Sequence, residues 1–597
     1  MFAYHGRCLR IDVTDGTAAF VPLAADLLRQ YIGGSGLGAR LLLDEGGAAL
    51  DPLSPQAPLI FAFSPLVGSP LTTSSKFAVV SKSPLTDRIN DSLASSGFAV
   101  SAKKTGCDAI VIVGRAPELS VLIIDDVPDV EAGVPVAAEA AVGASFRRPH
   151  VRLVPADALR GATCQATEAA LRARLGTDFR IASIGPAGER AVRYATISHD
   201  GRHAGRGGSG AVLGAKHIKA IAVRGTQRVE WADPRGVTEL SRDLSKRSFG
   251  PATAKYRELG TATNLLTFNR FGALPTRNFQ RGTFDEATEI SPEQLSVTRE
   301  KTRASCVTCT IGCEHIYGMS GGGGVRLEYE SLFALGSLCG VGDSDAVLRA
   351  AQRCDELGID TISTGGTIAF AMECVERGWL DQPWLTFGSG DAVLRAIDLI
   401  GRREGLGNLL AEGSRRVAHV IGHGSIAFAP QVKGLEIPGY EPRALQTMAL
   451  GFAVGARGAD HNRSGAYEVD FSDKVDRRKV TLDAVRHAID TEDKAALMDS
   501  LILCKFLRGV FADFHVETAD MLRRVTGWDV TADELRETAK RIVGAKRQFN
   551  LLAGWTPAED TLPDRFLDTP LPNDPAASLS RERLDDLVVE YHRQRGW

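Results

Sequence analysis

Nowhere in the 597 residues do about 18 apolar side chains follow one another, so no segment reads as a membrane-spanning helix and membrane insertion is not expected. Charge of one sign is also missing. Lys and Arg total 70 against 73 Asp and Glu, a formal net charge of -3, which offers nucleic acid no sustained field to follow. The opening residues, MFAYHGRCLRIDVTDG, show no basic region, apolar stretch and cleavage site in succession, and no twin arginine, so a cytoplasmic protein is expected. Cysteine, at 10 in the whole chain, is too sparse for a disulfide scaffold, and most of these thiols are expected as small buried hydrophobes. No repeat of solenoid period appears. What is plentiful is glycine, at 62, which permits tight turns and close approaches of backbone.

The apolar pattern divides the chain. Up to about residue 225, short β-branched runs (Cys8–Val13, Leu59–Phe63, Phe77–Ser81, Ala109–Val113, Val121–Ile124, Ile181–Ile184 and Ile218–Val223) are punctuated by Gly, Pro, Asp and Ser, as strands and their ends require. Between Val127 and Pro155 the periodicity fades into an Ala/Val/Pro-rich stretch, read as an insertion or surface excursion. Beyond about Glu230 the pattern becomes helical. Val237–Lys246, Pro251–Phe268, Asp345–Leu357, Ile362–Arg377, Ala392–Glu404, Gly407–Val420, Asp493–Phe511 and Ala532–Val543 are expected to be amphipathic helices. A β-rich beginning with a helical remainder is an α+β layout.

Three cysteines crowd into one short stretch, Cys306-Val-Thr-Cys309-Thr-Ile-Gly-Cys313. Soft thiolates at this spacing suit an iron–sulfur cluster or zinc, and both need a fourth ligand. Cys504 is one candidate among the remaining cysteines, and spacing does not separate it from the others. The order C-x2-C-x3-C reverses the radical-SAM arrangement, which disfavours that chemistry. Two glycine-rich loops, Gly33–Gly38 and Ala204–Gly210, offer unhindered N–H groups to phosphate, although a tight turn explains either one alone. Asp355-Glu-Leu-Gly358-Ile-Asp360 and Asp499-Ser-Leu-Ile-Leu503-Cys504 place carboxylates where a guanidine-like edge, such as a pterin's amino-pyrimidine, would donate two parallel hydrogen bonds. Glu330 and His461 have the residue types of an acid/base pair. Taken singly, a helix-face carboxylate and a structural histidine explain them better.

Together these blocks resemble the aldehyde:ferredoxin oxidoreductase family, tungsten enzymes with a bis-pterin cofactor. The similarity runs along nearly the whole chain and is carried by Ser81–Thr86, Ile184–Glu189, Asp200–Gly214, Ile218–Gly225, the cysteine cluster, Asp355–Asp360 and Leu503–Phe506. The resemblance implies a β-rich base at 1–225 on which the cofactor lies, followed by mainly helical domains at 226–430 and 431–597. It implies a [4Fe–4S] cluster on Cys306, Cys309, Cys313 and Cys504, and a bis-molybdopterin carrying tungsten or molybdenum through its own sulfurs. Asp355, Gly358 and Asp360 match the first pterin motif, and Asp499 and Leu503 the second. Gly205, Arg206, Gly207 and Gly208 would lie against the pterin phosphates, bridged by Mg2+, and Lys76 would stand between pterin and cluster.

The chemistry implied is oxidation of an aldehyde to its carboxylic acid by water. Glu330 would act as general base and His461 would hydrogen-bond the carbonyl oxygen. Electrons would leave singly through the cluster to ferredoxin or a ferredoxin-like subunit, and a homodimer is equally plausible. Some positions depart from the family pattern: Lys76 replaces an Arg, Ile502 a Gly, Ser35 a basic residue, and Leu93–Gly97 an Asn-Ser-Gly-Gly-like stretch. Competing readings are a related tungsten- or molybdenum-pterin reductase acting on another substrate such as an aromatic thioester, a non-catalytic iron–sulfur electron-transfer subunit, and a zinc-structured binding protein. Both pterin aspartates favour the cofactor-bearing enzymes, and Glu330 with His461 favours aldehyde oxidation among them.

Overall fold

The computed structural model describes residues 1–127, 134–135 and 149–597. The N-terminal part is built on two sheets. The first is six-stranded, in spatial order Thr17–Pro22, Arg7–Asp12, Ala109–Val113, Leu59–Ala62, Lys76–Lys82 and Ile89–Ser95. The second is seven-stranded, in the order Arg202–Ala204, Ile197–His199, Arg180–Ser183, Ile218–Arg224, Ser120–Asp125, His150–Pro155 and Val134–Pro135. Every strand expected from an apolar run is a strand here. Ile89–Ser95 escapes that criterion because its sequence, INDSLAS, is polar although almost wholly buried. The excursion expected at Val127–Pro155 needs correction at its end, where His150–Pro155 pairs antiparallel with Ser120–Asp125 along its whole length. Residues 128–133 and 136–148 of that stretch lie outside the described residues.

The remainder is mainly helical, completing the expected α+β layout. Three expected helices are corrected by local backbone. Pro251–Phe268 is broken into Ala254–Leu259 and Asn264–Arg270, with Gly260 at φ 69 between them. Gly407–Val420 is split into Leu406–Leu410 and Ser414–Ile421 by Gly413 at φ 85. Asp493–Phe511 is not one helix: Asp483–Leu501 ends with Ile502 in the left-handed region at φ 65, and the chain turns away. A three-stranded sheet, Lys301–Ala304, Glu314–Gly318 and Gly324–Leu327, frames the cysteine loop and was not anticipated.

The core of the first sheet is completed by Ile502 and Phe549 from the far end of the chain. A larger core runs from Leu85 to Tyr591 and joins residues on both sides of position 430. Among the described residues no helix is long and apolar enough to cross a membrane.

Candidate functional site

The four cysteines singled out by sequence come together from two segments. Cys306, Cys309 and Cys313 lie on the loop between Lys301–Ala304 and Glu314–Gly318, and Cys504 lies just past the end of the Asp483–Leu501 helix. A polar strap from the N-terminal sheet, Thr72 to Lys76, ties the segments to each other. The Thr73 N–H donates to Thr308 O (3.3 Å), the Cys504 N–H to Thr73 Oγ1 (3.2 Å), Ser75 Oγ to Val307 O (2.5 Å) and the Thr310 N–H to Thr72 Oγ1 (3.1 Å). Thr73, Thr308 and Ile502 have φ of 67, 61 and 65. β-Branched residues avoid this region, and such strain collects where function holds it in place.

All four thiols are free and partly exposed. Burial, then the nearby Cys504, raises the Cys309 and Cys313 thiols above their ordinary range. Burial pulls the Lys76 ammonium down, but Cys504, Cys306, Asp499 and Cys313 more than reverse that, and it stays charged. Soft thiolates of this kind suit an iron–sulfur cluster or zinc.

The Ala204–Gly210 loop and the residue before it lie against the first acidic motif. His203 Nε2 is 3.0 Å from Asp355 Oδ1, and Arg206 Nε is 3.5 Å from Asp360 Oδ2. Burial raises the Asp355 carboxyl, but His203 and then Arg326 outweigh it, so it is held below the ordinary range. Asp360 also caps the Thr361–Glu376 helix by accepting from the Ser363 N–H at 3.0 Å. Gly207 and Gly208 have φ of 84 and 82, and a Cβ on Gly207 would stand 2.1 Å from Asn90 Oδ1. Around Gly205 such an atom would meet only Asp360, at 3.9 Å, so the loop stays open on that side. Gly358, at φ 72, lets the helix end approach Gly185, whose N would lie 2.9 Å from an added Cβ.

Gly33–Gly38, the other glycine-rich stretch, is not a phosphate loop. Helix Gly34–Asp44 already includes most of it, and the glycines admit neighbours: a Cβ on Gly38 would stand 2.5 Å from Val80 Cγ2.

The second acidic motif is held by charges that sequence reasoning missed. Asp499 receives Arg463 Nη1 at 3.0 Å and Lys505 Nζ at 2.8 Å, leaving each oxygen one further lone pair. Arg463 also reaches Asp91 Oδ1 at 3.1 Å, and Asp91 takes Lys546 at 2.6 Å and Ser35 Oγ at 2.8 Å. Burial raises Asp91, yet Arg463, Lys546 and Arg457 hold it well below the ordinary carboxylate range. Leu503 is fully buried, packed in one apolar cluster with Met498 and Leu501, and its N–H donates to Met498 O at 2.9 Å.

Glu330 and His461 meet. His461 Nδ1 lies 3.6 Å from Glu330 Oε1, and both atoms are buried without a hydrogen-bond partner. Glu330 Oε2 accepts from the Gly439 N–H at 3.0 Å, and the His461 ring stacks on Tyr440 with centroids 4.9 Å apart. Burial pushes the Glu330 carboxyl up to about 8, against the Gly439 hydrogen bond. Burial pulls the His461 imidazolium down to about 3, so the ring is neutral.

Among the other buried polar atoms without a hydrogen-bond partner are Asn90 Oδ1, Ser183 Oγ and both ring nitrogens of His199. Each such atom costs about 1–3 kcal/mol unless something polar meets it. Asn90 Oδ1 stands against the Gly205–Gly208 loop, where a polar group such as a pterin phosphate would meet it.

Family models described as "Aldehyde ferredoxin oxidoreductase, N-terminal domain" and "Aldehyde ferredoxin oxidoreductase, domains 2 & 3" match residues 8–225 and 237–597. The tungsten-containing aldehyde ferredoxin oxidoreductases of Pyrococcus furiosus and Thermococcus kodakarensis are each 36% identical to this chain, over 100% of it and 97% of their own length. The aliphatic sulfonate oxidoreductase, WOR-like subunit, of Pyrococcus furiosus is 28% identical over 100% of this chain and 95% of its own. Among solved structures, the active site complex BamBC of benzoyl coenzyme A reductase, in complex with 1,5 dienoyl-CoA, shares the fold with a TM-score of 0.81 and 22% identity, covering 100% of this chain and 95% of that one.

Proposed function

Because the chain belongs to the aldehyde ferredoxin oxidoreductase family, we propose that it oxidises an aldehyde to its carboxylic acid, with water as oxygen source and ferredoxin or a ferredoxin-like subunit as electron acceptor. In this reading Cys306, Cys309, Cys313 and Cys504 hold a [4Fe–4S] cluster. Asp355, Asp360 and Asp499 hold the pterin edges of a tungsten or molybdenum cofactor, with Gly358 and Leu503 shaping their motifs. Gly205, Arg206, Gly207 and Gly208 face the phosphates and their Mg2+, and the Lys76 ammonium lies between Asp499 and the cysteines. When bound, that metal centre would supply the two-electron redox chemistry of the oxidation.

The single observation that carries the reading is the meeting of Glu330 Oε1 and His461 Nδ1, two buried atoms without a hydrogen-bond partner, across 3.6 Å. A neutral imidazole is a hydrogen-bond donor without a competing charge, suited to orient and polarise a carbonyl oxygen. The Glu330 carboxylate takes the proton from the attacking water. Its preference for the protonated form, up to about pH 8, sets when that base is available. Tyr440, stacked on the ring, limits how the imidazole tilts.

The test is elemental analysis of protein purified anaerobically from cells given tungstate and molybdate, followed by a dye-linked assay. About four Fe and about one W or Mo per chain, with aldehydes reducing a viologen, are the expected results. Iron without either heavy metal would leave only an electron-transfer subunit. Turnover of aromatic CoA thioesters alone would replace the aldehyde with another substrate.

A further inference from the structure

We propose that the face surrounding the Cys306–Cys313 loop is the docking surface for a small acidic one-electron carrier protein of ferredoxin type. The inference rests on the proposed function only in taking those cysteines to hold an electron-carrying cluster. Four cations mark the face: Lys255, Arg257, Lys301 and Arg303. They form one continuous patch. Arg303 Nη1 donates to Arg257 O at 3.4 Å, and Lys301 Nζ donates to Glu258 O at 3.0 Å. The Arg257 guanidinium lies 4.4 Å above the Phe249 ring, and Lys255 Nζ lies 5.0 Å from the Tyr256 ring. Tyr256 in turn stacks at 4.0 Å on Phe506, next-but-one to Cys504. Arg303 runs beside the cysteine loop, its Nε 3.3 Å from where a Cβ of Gly312 would stand.

None of these four cations makes an ion pair with a carboxylate among the described residues. The contrast is local, because their neighbours do: Arg202 pairs with Glu314, Arg247 with Asp243 and Glu517, Arg299 with Asp345, and Arg326 with Glu328. Glu258 and Glu300 are the exposed acids of the same stretch, so positive charge is in excess there. In a chain of net charge -3 that excess belongs to the face and not to the molecule. Apolar side chains stand within it. Val307, between Cys306 and Cys309, is 43% exposed and Phe249 is 58% exposed.

Exposed apolar side chains beside unpaired cations suit a transient electron-transfer interface. A second copy of this chain, joined symmetrically through this face, would set like charges against each other, so the occupant is an acidic partner. Contact here would bring the partner's redox centre against the loop whose cysteines are partly exposed.

The experiment uses no aldehyde. Metal-loaded full-length protein is reduced with dithionite, freed of excess reductant by anaerobic gel filtration, and mixed in a stopped-flow with an oxidised, strongly acidic 2[4Fe–4S] ferredoxin. One electron passes to each ferredoxin cluster, and the bleaching reports the rate. For the wild type the second-order rate is expected to fall steeply as ionic strength rises. Lys301→Glu/Arg303→Glu is expected to lower it about tenfold at low salt and to flatten the salt dependence. Arg593→Glu, on the exposed side of the C-terminal helix, serves as control, and unchanged iron content shows that each variant keeps its cluster. Equal rates for Lys301→Glu/Arg303→Glu and the control would overturn the docking face, even in a protein that oxidises aldehydes with a viologen. The expected rates in a protein that oxidises no aldehyde would support the face and sink the substrate reading.

Discussion

At the scale of single residues, burial sets the chemistry of the candidate site. Glu330 retains its proton until the pH approaches about 8, because ionising it in a dry pocket is costly. The base form therefore grows as pH rises, about tenfold per unit below 8. Aldehyde oxidation is expected to climb from pH 6 and level off above about 8 in a kcat profile. Glu330→Gln should lower kcat by about 10²–10⁴-fold and remove that rise. Thr73 offers a second test. Its Oγ1 occupies the Cys504 N–H, and in Thr73→Val that N–H is free to donate to a cluster sulfur. Donors to sulfur stabilise the more negative reduced cluster. An EPR-monitored redox titration should find the potential of Thr73→Val shifted to more positive values and that of Thr73→Ser unmoved; no shift in the valine variant would refute this role.

At the scale of elements, the end of the Asp483–Leu501 helix decides the site, because Asp499 and Cys504 flank it. Ile502 reverses the chain there in a left-handed conformation and buries its side chain fully in the core of the first sheet. The conformation costs about 1–2 kcal/mol. Losing a buried Ile side chain costs about 2–5 kcal/mol, so burial wins. Ile502→Gly is accordingly expected to lower the melting temperature, as calorimetry would show. The partner surface is Gly34, where a Cβ would stand 2.3 Å from Asp499 O and 2.5 Å from Ile502 Cδ1, at φ +43. Overpacking and strain together predict a loss of about 2–4 kcal/mol in Gly34→Ala. Iron content should fall with it, since the displaced helix end carries Cys504.

At the scale of the whole molecule, the two ends of the chain depend on each other. Helix Ala532–Leu552 sends Lys546 to Asp91, while Arg88 bonds Glu559 and the Ala553 carbonyl. Phe549 completes the core of the first sheet. Residues 1–225 alone would lose Lys546, Arg463 and Arg457 as partners of Asp91 and would expose the apolar surface of the first sheet that Ile502 and Phe549 cover. That fragment is expected to be open to proteolysis and to lack a cooperative melting transition; a protease-resistant fragment with a sharp transition would contradict this dependence. The same interdependence explains why the site draws ligands from segments hundreds of positions apart.

Local patterns were what the amino-acid sequence determined by itself. The continuous apolar strands and the longer amphipathic helices follow from side-chain period, which neighbouring residues set. The cysteines at 306, 309 and 313 share one loop, so spacing alone announced them. Resemblance, not spacing, picked out Cys504, Glu330, His461 and the acidic motifs. Tertiary structure decided the rest. It alone placed Cys504 beside the loop, through the Thr72–Lys76 strap, and it alone supplied Arg463 and Lys546 as partners for Asp499 and Asp91. It also turned Gly33–Gly38 from a conceivable phosphate loop into the close-packed start of a helix, and gave polar Ile89–Ser95 a place in a buried sheet. The physical reason is the same in each case. Period and spacing act within a few residues, whereas ion pairs, burial and close packing depend on which distant segments the fold brings into contact.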